Sequence, residues 1–175
     1  MKFFISSLVF ILLITNLYAS ENESLDDDML NEDSILVEES DFQKLAIEMK
    51  QKSLGLVLML HAEHCPYCTK MENEVLSPMV KSKDYDNMVL IRKLQIDEAR
   101  DVVDFDGSTV EPSDISNRYD AALTPTLVFL DHNGNQRNEK MIGINTVELF
   151  GAYLDIEIDK LVGNLKKNGA EIVIK

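Results

Sequence analysis

The run Gly55-Leu56-Val57-Leu58-Met59-Leu60, followed shortly by Cys65-Pro66-Tyr67-Cys68, restricts this chain more than any other stretch. An unbroken apolar run of this kind reads as a strand buried on both faces of a sheet. Pro66 suits the first position of a helix, where a missing N–H costs nothing, so Cys65 becomes the natural cap. A buried strand that hands over to a helix needs a sheet with helices packed on it. The only two cysteines of the chain lie at that junction.

The spacing also carries chemistry. The thiolate, not the thiol, attacks a disulfide, so a working cysteine needs something that stabilises negative charge. As a helix cap, Cys65 faces unpaired backbone N–H groups and the positive end of the helix dipole. Cys68 lies one turn further in. Cys65 is therefore expected to attack, and Cys68 to resolve the mixed disulfide. Two other uses of these residues compete. A purely structural disulfide is disfavoured because so short a loop constrains the unfolded chain little. A zinc site would draw on His61, His64, Cys65 and Cys68, but His61 ends the strand, Pro66 favours a helical turn, and no second cysteine pair exists. The expectation is no metal, and no cofactor beyond the Cys65–Cys68 disulfide.

The N-terminus reads as an export signal: Lys2, an apolar run from Phe3 to Ile14, then Asn16-Leu17-Tyr18-Ala19, with cleavage expected after Ala19. An uncleaved membrane anchor is the lesser alternative, since the run is short for a spanning helix. Export makes the periplasm the expected compartment. Residues 20–40 hold nine acids and no base, which reads as a disordered acidic leader. The formal charge of −14 is concentrated there, because residues 41–175 hold 22 acids against 16 bases. Such a surface repels phosphates, so nucleic acid is excluded as a partner.

One domain is expected over residues 41–175. Asp41 caps a helix to about Lys52, with Phe42, Leu45, Ala46 and Met49 on one face. The helix after Cys65 turns Met71, Val75 and Leu76 inward, and Ser77-Pro78 kinks or restarts it. Met88 to Ile96 forms the next strand. Residues 97–112 read as an irregular insertion with a turn at Asp106-Gly107, before a short helix from Ser113 or Asp114 through Tyr119. Thr126 to Leu130 is a strand, Asn133-Gly134 signals a hairpin, and an edge strand follows up to Ile142 and Gly143. Asn145, with Glu148 three residues on, caps a long helix. Its buried stripe is Val147, Phe150, Leu154, Ile158, Leu161, Val162 and Leu165, and Gly169 ends it. Ile172-Val173-Ile174 reads as a short added strand or an unpaired tail.

This order of elements over residues 41–165, with Cys65-Pro66-Tyr67-Cys68 and Thr124-Pro125 in their places, resembles the thioredoxin fold, an α/β architecture with a central mixed sheet. Ala62-Glu63-His64-Cys65-Pro66-Tyr67-Cys68 looks like a thioredoxin active site with a glutaredoxin-type Pro-Tyr. With the export signal, the set is most similar to periplasmic thioredoxin-related proteins of the SoxW type. The resemblance implies that Pro125 is cis and lies beside the cysteines, leaving Thr124 free to pair with an extended substrate; an ordinary trans proline opening an edge strand is the alternative. It also marks departures at the site itself and, as a second kind, a long connection between the cysteines and Pro125, which bears on substrate preference. Met59 stands where the family has a buried aspartate, and His61, two residues on, is either a substitute base or simply a packed side chain. His64 replaces a tryptophan; as an imidazolium it would favour the Cys65 thiolate and make the couple more oxidising.

The expected activity is that of an exported protein-disulfide oxidoreductase acting on protein thiols and disulfides by reduction or exchange. A membrane or periplasmic redox donor is implied. A net oxidant or isomerase, glutathione use, and a non-catalytic binding or chaperone-like module on the same fold are the alternatives. In the last of these, the acidic leader and the 97–112 loop would be the contact surfaces.

Overall fold

The protein's structure, a computed structural model, describes residues 35–172, with side chains to residue 167. The export signal expected over residues 1–19, the leader up to residue 34, and the tail from residue 173 lie outside the described residues. In chain order the elements are α1 (Phe42–Lys52), β1 (Gly55–His61) and α2 (Pro66–Met71). A π-helical turn (Glu72–Leu76), α3 (Ser77–Ser82) and β2 (Val89–Gln95) come next. They are followed by β3 (Val102–Val103), β4 (Thr109–Val110), α4 (Pro112–Arg118), β5 (Thr126–Leu130), β6 (Met141–Ile142) and α5 (Val147–Ile172).

The strands form one sheet in the order β2-β1-β5-β6, with β3 and β4 as a separate pair. β1 runs parallel to β2 and antiparallel to β5. Flanked on both sides, β1 is buried over its first six residues, as its uninterrupted apolar character requires. Side chains alternate across a strand, and the two faces of β1 enter two cores. Val57 and Met59 join Leu127, Phe129, the inner side of the α2–α3 helical run and the α5 stripe of Phe150, Leu154, Ile158 and Leu161. Leu56, Leu58 and Leu60 join Val128 and Leu130 against α1 and α4. Helices thus cover both faces of a mixed sheet, as the resemblance implies. At Gly55 even a methyl group would come within 2.6 Å of Leu161, so the close approach of α5 to the start of β1 depends on glycine.

Local chemistry sets most element ends. Asp41 accepts the Lys44 N–H at 2.9 Å and opens α1. Pro78, which has no N–H to donate, sits just after a π-helical turn, so the helical run from Pro66 to Ser82 continues with a local widening rather than a break.

Four features differ from the sequence reading. The last residues of the acidic segment belong to the fold: Leu36 is buried, the Lys93 N–H donates to the Val37 carbonyl at 3.0 Å and the Glu39 N–H donates to the Lys93 carbonyl at 2.8 Å. They extend the sheet along the outer edge of β2. The 97–112 stretch is not irregular throughout; it holds the β3–β4 hairpin, turning at Gly107 (φ 87°), and Pro112 opens α4 instead of ending a loop. The hairpin is pinned by Phe105, whose ring centroid lies 5.1 Å from that of Phe42, and by the buried Asp104, which accepts hydrogen bonds from Arg118. The edge strand after Asn133-Gly134 is interrupted: Gln136 bridges Leu130, then the chain turns aside and rejoins only at Met141–Ile142. In between, Asn138 donates to the Glu157 carbonyl and the Lys140 ammonium donates to the Tyr119 and Asp120 carbonyls. Finally, α5 opens at Thr146, whose carbonyl accepts from the Phe150 N–H at 2.9 Å, one residue after Asn145. It runs past Gly169 to Ile172.

Candidate active site

Three loops meet at one end of the sheet. β1 runs out at His61 into the Ala62–Cys65 loop, and Leu60 pairs with Thr126, so Thr124-Pro125 enters β5 at that same end. The Thr124-Pro125 peptide bond is cis. Beyond β6, Gly143 donates its N–H to the Pro125 carbonyl at 2.8 Å and brings the third loop alongside. Thr126 holds the middle loop by donating its hydroxyl to the Leu123 carbonyl at 2.6 Å.

Cys65 and Cys68 are joined in a disulfide, with their Cα atoms 5.2 Å apart. Cys65 caps α2: its Sγ accepts the Cys68 N–H at 3.1 Å, and its carbonyl accepts from Cys68 and Thr69 at 2.9 and 3.2 Å. The sulfur therefore faces the electropositive end of the helical run. Cys65 is half-buried, whereas Cys68 is 4% exposed, so Cys65 is the more accessible of the pair. Pro66, Tyr67 and His64 are exposed, Thr124 is half-buried and Pro125 is buried. Water around His64 screens the influence of its ring on the neighbouring sulfur.

Met59 is fully buried in the apolar core, so no carboxylate lies at that position. His61 is occupied by a partner that the sequence did not reveal: its Nε2 lies 2.8 Å from an Oε2 of Glu38. The other Glu38 oxygen accepts the Gln95 N–H at 2.5 Å. Burial pushes the Glu38 carboxyl up, but the hydrogen bond and charge of His61 and the Gln95 N–H outweigh it and hold the group below the ordinary carboxylate range. Asp97 is the second residue missed. Its two oxygens accept the Glu63 N–H at 3.3 and 3.2 Å, which ties the Ala62–Cys65 loop to the end of β2. Its carboxyl is also held low: desolvation acts upward, but the hydrogen bonds from Glu63, Gln95 and its own N–H, with the charge of His61, together outweigh it. In sequence, the only hint of Glu38 was the apolar run Ile35-Leu36-Val37 directly before it in the acidic stretch.

The four side chains of the alternative zinc reading are used otherwise. The two cysteines bond to each other, His61 turns to Glu38, and His64 is exposed to solvent. Among the described residues, no three His, Cys, Asp or Glu side chains converge in a metal-holding group.

A family model described as a thioredoxin-like domain matches residues 42–156, a span that contains both cysteines and Pro125. The chain belongs to the thioredoxin-like domain family. Its fold is the thioredoxin fold, and a close cysteine pair in a thioredoxin-like domain is in general that of a thiol–disulfide oxidoreductase. Solved thioredoxins are among its structural neighbours. Mitochondrial thioredoxin 3 of Saccharomyces cerevisiae in its oxidised form is 22% identical, covers 69% of this chain and 94% of its own, and superposes with a TM-score of 0.46. A thioredoxin-like protein from Clostridium perfringens is 25% identical, over 75% of this chain and 89% of its own, with a TM-score of 0.47. Oxidised thioredoxin O2 of Arabidopsis thaliana is 20% identical, over 70% and 94%, with a TM-score of 0.45. The comparison with curated proteins gave no match.

Proposed function

We propose that this protein is an exported thiol–disulfide oxidoreductase that reduces or exchanges disulfides of other proteins, similar to periplasmic thioredoxin-related proteins of the SoxW type. Cys65 is the nucleophile and Cys68 the resolving thiol. Thr124 and Pro125 line the place where the partner chain lies, and a redox donor of the same compartment returns the pair to the dithiol. The observation that carries this reading is the capping of α2 by the Cys65 sulfur, with the more buried Cys68 one turn behind it. A thiolate at that cap is stabilised by backbone N–H groups, and the second thiol lies within reach of any mixed disulfide formed on the first. The N-terminal residues Lys2 to Ala19 support export, and the absence of a metal or organic cofactor from the scheme follows from the chemistry, which needs only the two sulfurs.

The test is turnover. With dithiothreitol as electron source, the purified protein is expected to precipitate the insulin B chain at least about tenfold faster than dithiothreitol alone. A rate equal to that of dithiothreitol alone contradicts the reading.

A further inference from the structure

The end of the sheet opposite the cysteines holds a cavity of about 850 Å³. Leu54, which leads into β1, and Met88, which leads into β2, line it from the sheet, and Val162 and Leu165 line it from α5. β1 and β2 run parallel away from it, and the cysteines come only after β1 has ended at His61. Its size falls within the roughly 300–1,000 Å³ usual for small-molecule sites, which are mostly apolar with a few polar groups. Gly163 of α5 also lines the cavity, and a Cβ there would meet no packed neighbour within 4 Å. A glycine inside a helix is unfavourable, and close packing does not account for this one. Its effect is to leave the cavity open.

The charged groups that line the cavity say what it would hold. Asp131 and Arg137 are bonded to each other, so that pair is neutral. Lys50, Lys166 and Asp159 remain, all three exposed and none in an ion pair with another described residue. Two lysines against one aspartate leave a single net positive charge at the rim. The half-buried His132 lines the same space and adds a ring N–H donor. This balance is opposite to that of the domain, where residues 41–175 hold 22 acids against 16 bases. An apolar cavity with one surplus positive charge complements an apolar chain that ends in one negative charge.

We propose that this cavity binds a linear monocarboxylate of about ten carbons. The alkyl chain lies along Leu54, Met88, Val162 and Leu165 in the space that Gly163 leaves open, and the carboxylate meets the Lys50 and Lys166 ammonium groups at the rim. The lysine stems cover the end of the chain while their charged heads stay in water. Apolar burial supplies most of the affinity, at about fourfold for each methylene fully buried, and the lysines add a smaller, salt-sensitive share. The site lies apart from Cys65 and Pro125 and does not depend on the thiol–disulfide reading. Its occupant leaves the cysteines accessible.

The experiment is calorimetric titration of the full chain with decanoate, hexanoate and decanol. The wild type should bind decanoate at least about tenfold more tightly than hexanoate and at least about threefold more tightly than decanol. The double variant Lys50→Gln, Lys166→Gln changes only exposed side chains; it should lose the preference for decanoate over decanol and bind decanol as before. Gly163→Leu fills the cavity and improves helix propensity, so decanoate and decanol should both bind at least about tenfold more weakly while the melting temperature does not fall. Saturating decanoate should leave the rate at which iodoacetamide alkylates Cys65 in the reduced protein unchanged. No binding of decanoate, equal affinity for hexanoate, or full affinity in Gly163→Leu or in the lysine variant overturns the proposal. So does a fall in Cys65 alkylation that follows saturation, since the anion would then sit at the cysteines. A wild-type dimer that Gly163→Leu dissociates and decanoate does not assigns the cavity to a second copy, and also overturns it. Sedimentation with phosphatidylglycerol vesicles that Gly163→Leu abolishes, without binding of free decanoate, assigns it to a membrane surface and does the same.

Discussion

Cys65→Ser is expected to abolish disulfide reduction, with a loss of at least about a thousandfold in insulin turnover, because no other nucleophilic sulfur remains at the helix cap. Cys68→Ser should behave differently. In the first step the Cys65 thiolate attacks one sulfur of the partner disulfide, a mixed disulfide forms, and the partner's other sulfur leaves as a thiolate. In the second step the Cys68 thiolate attacks Cys65, the Cys65–Cys68 disulfide closes, and the partner departs with two electrons gained and both cysteines reduced. Without Cys68 only the first step remains, so mixed disulfides with partner proteins accumulate and survive non-reducing electrophoresis. The asymmetry follows from the structure: Cys65 is the half-buried cap, and Cys68 lies almost fully buried one turn on. Equal, partial losses in both variants, with no trapped complex, would contradict the assigned order.

Asp131→Ala should lower stability by about 3 kcal/mol and the melting temperature by roughly 10 °C. Asp131 is 1% exposed at the end of β5, the strand that Pro125 opens. It accepts the Asn133 and Asn135 N–H groups at 2.8 and 2.9 Å, the Asn135 amide at 3.2 Å, and two guanidinium nitrogens of Arg137, with Nε at 2.8 Å. Alanine would leave the whole turn around Gly134 without its centre. That turn has little room to rearrange. Gly134 has φ 76°, a Cβ there would come within 2.7 Å of the Phe105 ring, and its carbonyl accepts the buried Tyr119 hydroxyl at 2.8 Å.

The pH dependence of Asp131 has a definite sign. Burial acts to raise its carboxyl, but the hydrogen bonds from Asn135 and Asn133 and the Arg137 guanidinium outweigh it and hold the group below the ordinary Asp range. A depressed folded-state value contributes stability that is fully present above the unfolded value of about 3.9 and is lost as the pH falls through the lower folded one. The gap in stability between wild type and Asp131→Ala, measured by urea titration, should therefore stay constant from pH 7 to about 5 and shrink below about 4. A gap that widened on acidification would count against this account.

Much of this architecture was legible in the residues. Gly55 to Leu60 announced a doubly buried strand because six apolar residues in a row leave no face for solvent, and Cys65 announced its cap because Pro66 tolerates only one helical position well. Thr126 to Leu130 and the α5 stripe were equally plain. Weaker elements depend on distant partners. β3 and β4 are two residues each, too short for any periodicity to register, and are fixed by Phe105 on Phe42 and by Asp104 on Arg118. The segment from Leu36 to Ser40 looked like part of an acidic tail because its pairing with Lys93 spans more than fifty residues of sequence. A separation of 23 residues likewise hid Glu38 as the partner of His61, and with it the reason that His61 is tied down rather than free. The interruption before β6 was hidden too, since nothing local in Asn138 reveals that its amide reaches Glu157 on α5. At the site, local pattern revealed the cysteine pair and its place at the helix cap, while the side chains that hold the surrounding loops came only from the fold.

The central claim is that the helical run beginning at Pro66 holds the Cys65 sulfur as a ready thiolate while shielding Cys68. The most direct test is the alkylation of each thiol by iodoacetamide in the freshly reduced protein at pH 7, read by mass spectrometry. Cys65 should be modified at least about tenfold faster than a cysteine in an unstructured peptide, and Cys68 more slowly than that peptide. If Cys65 reacts no faster than the peptide, or Cys68 reacts first, the account is contradicted at its base.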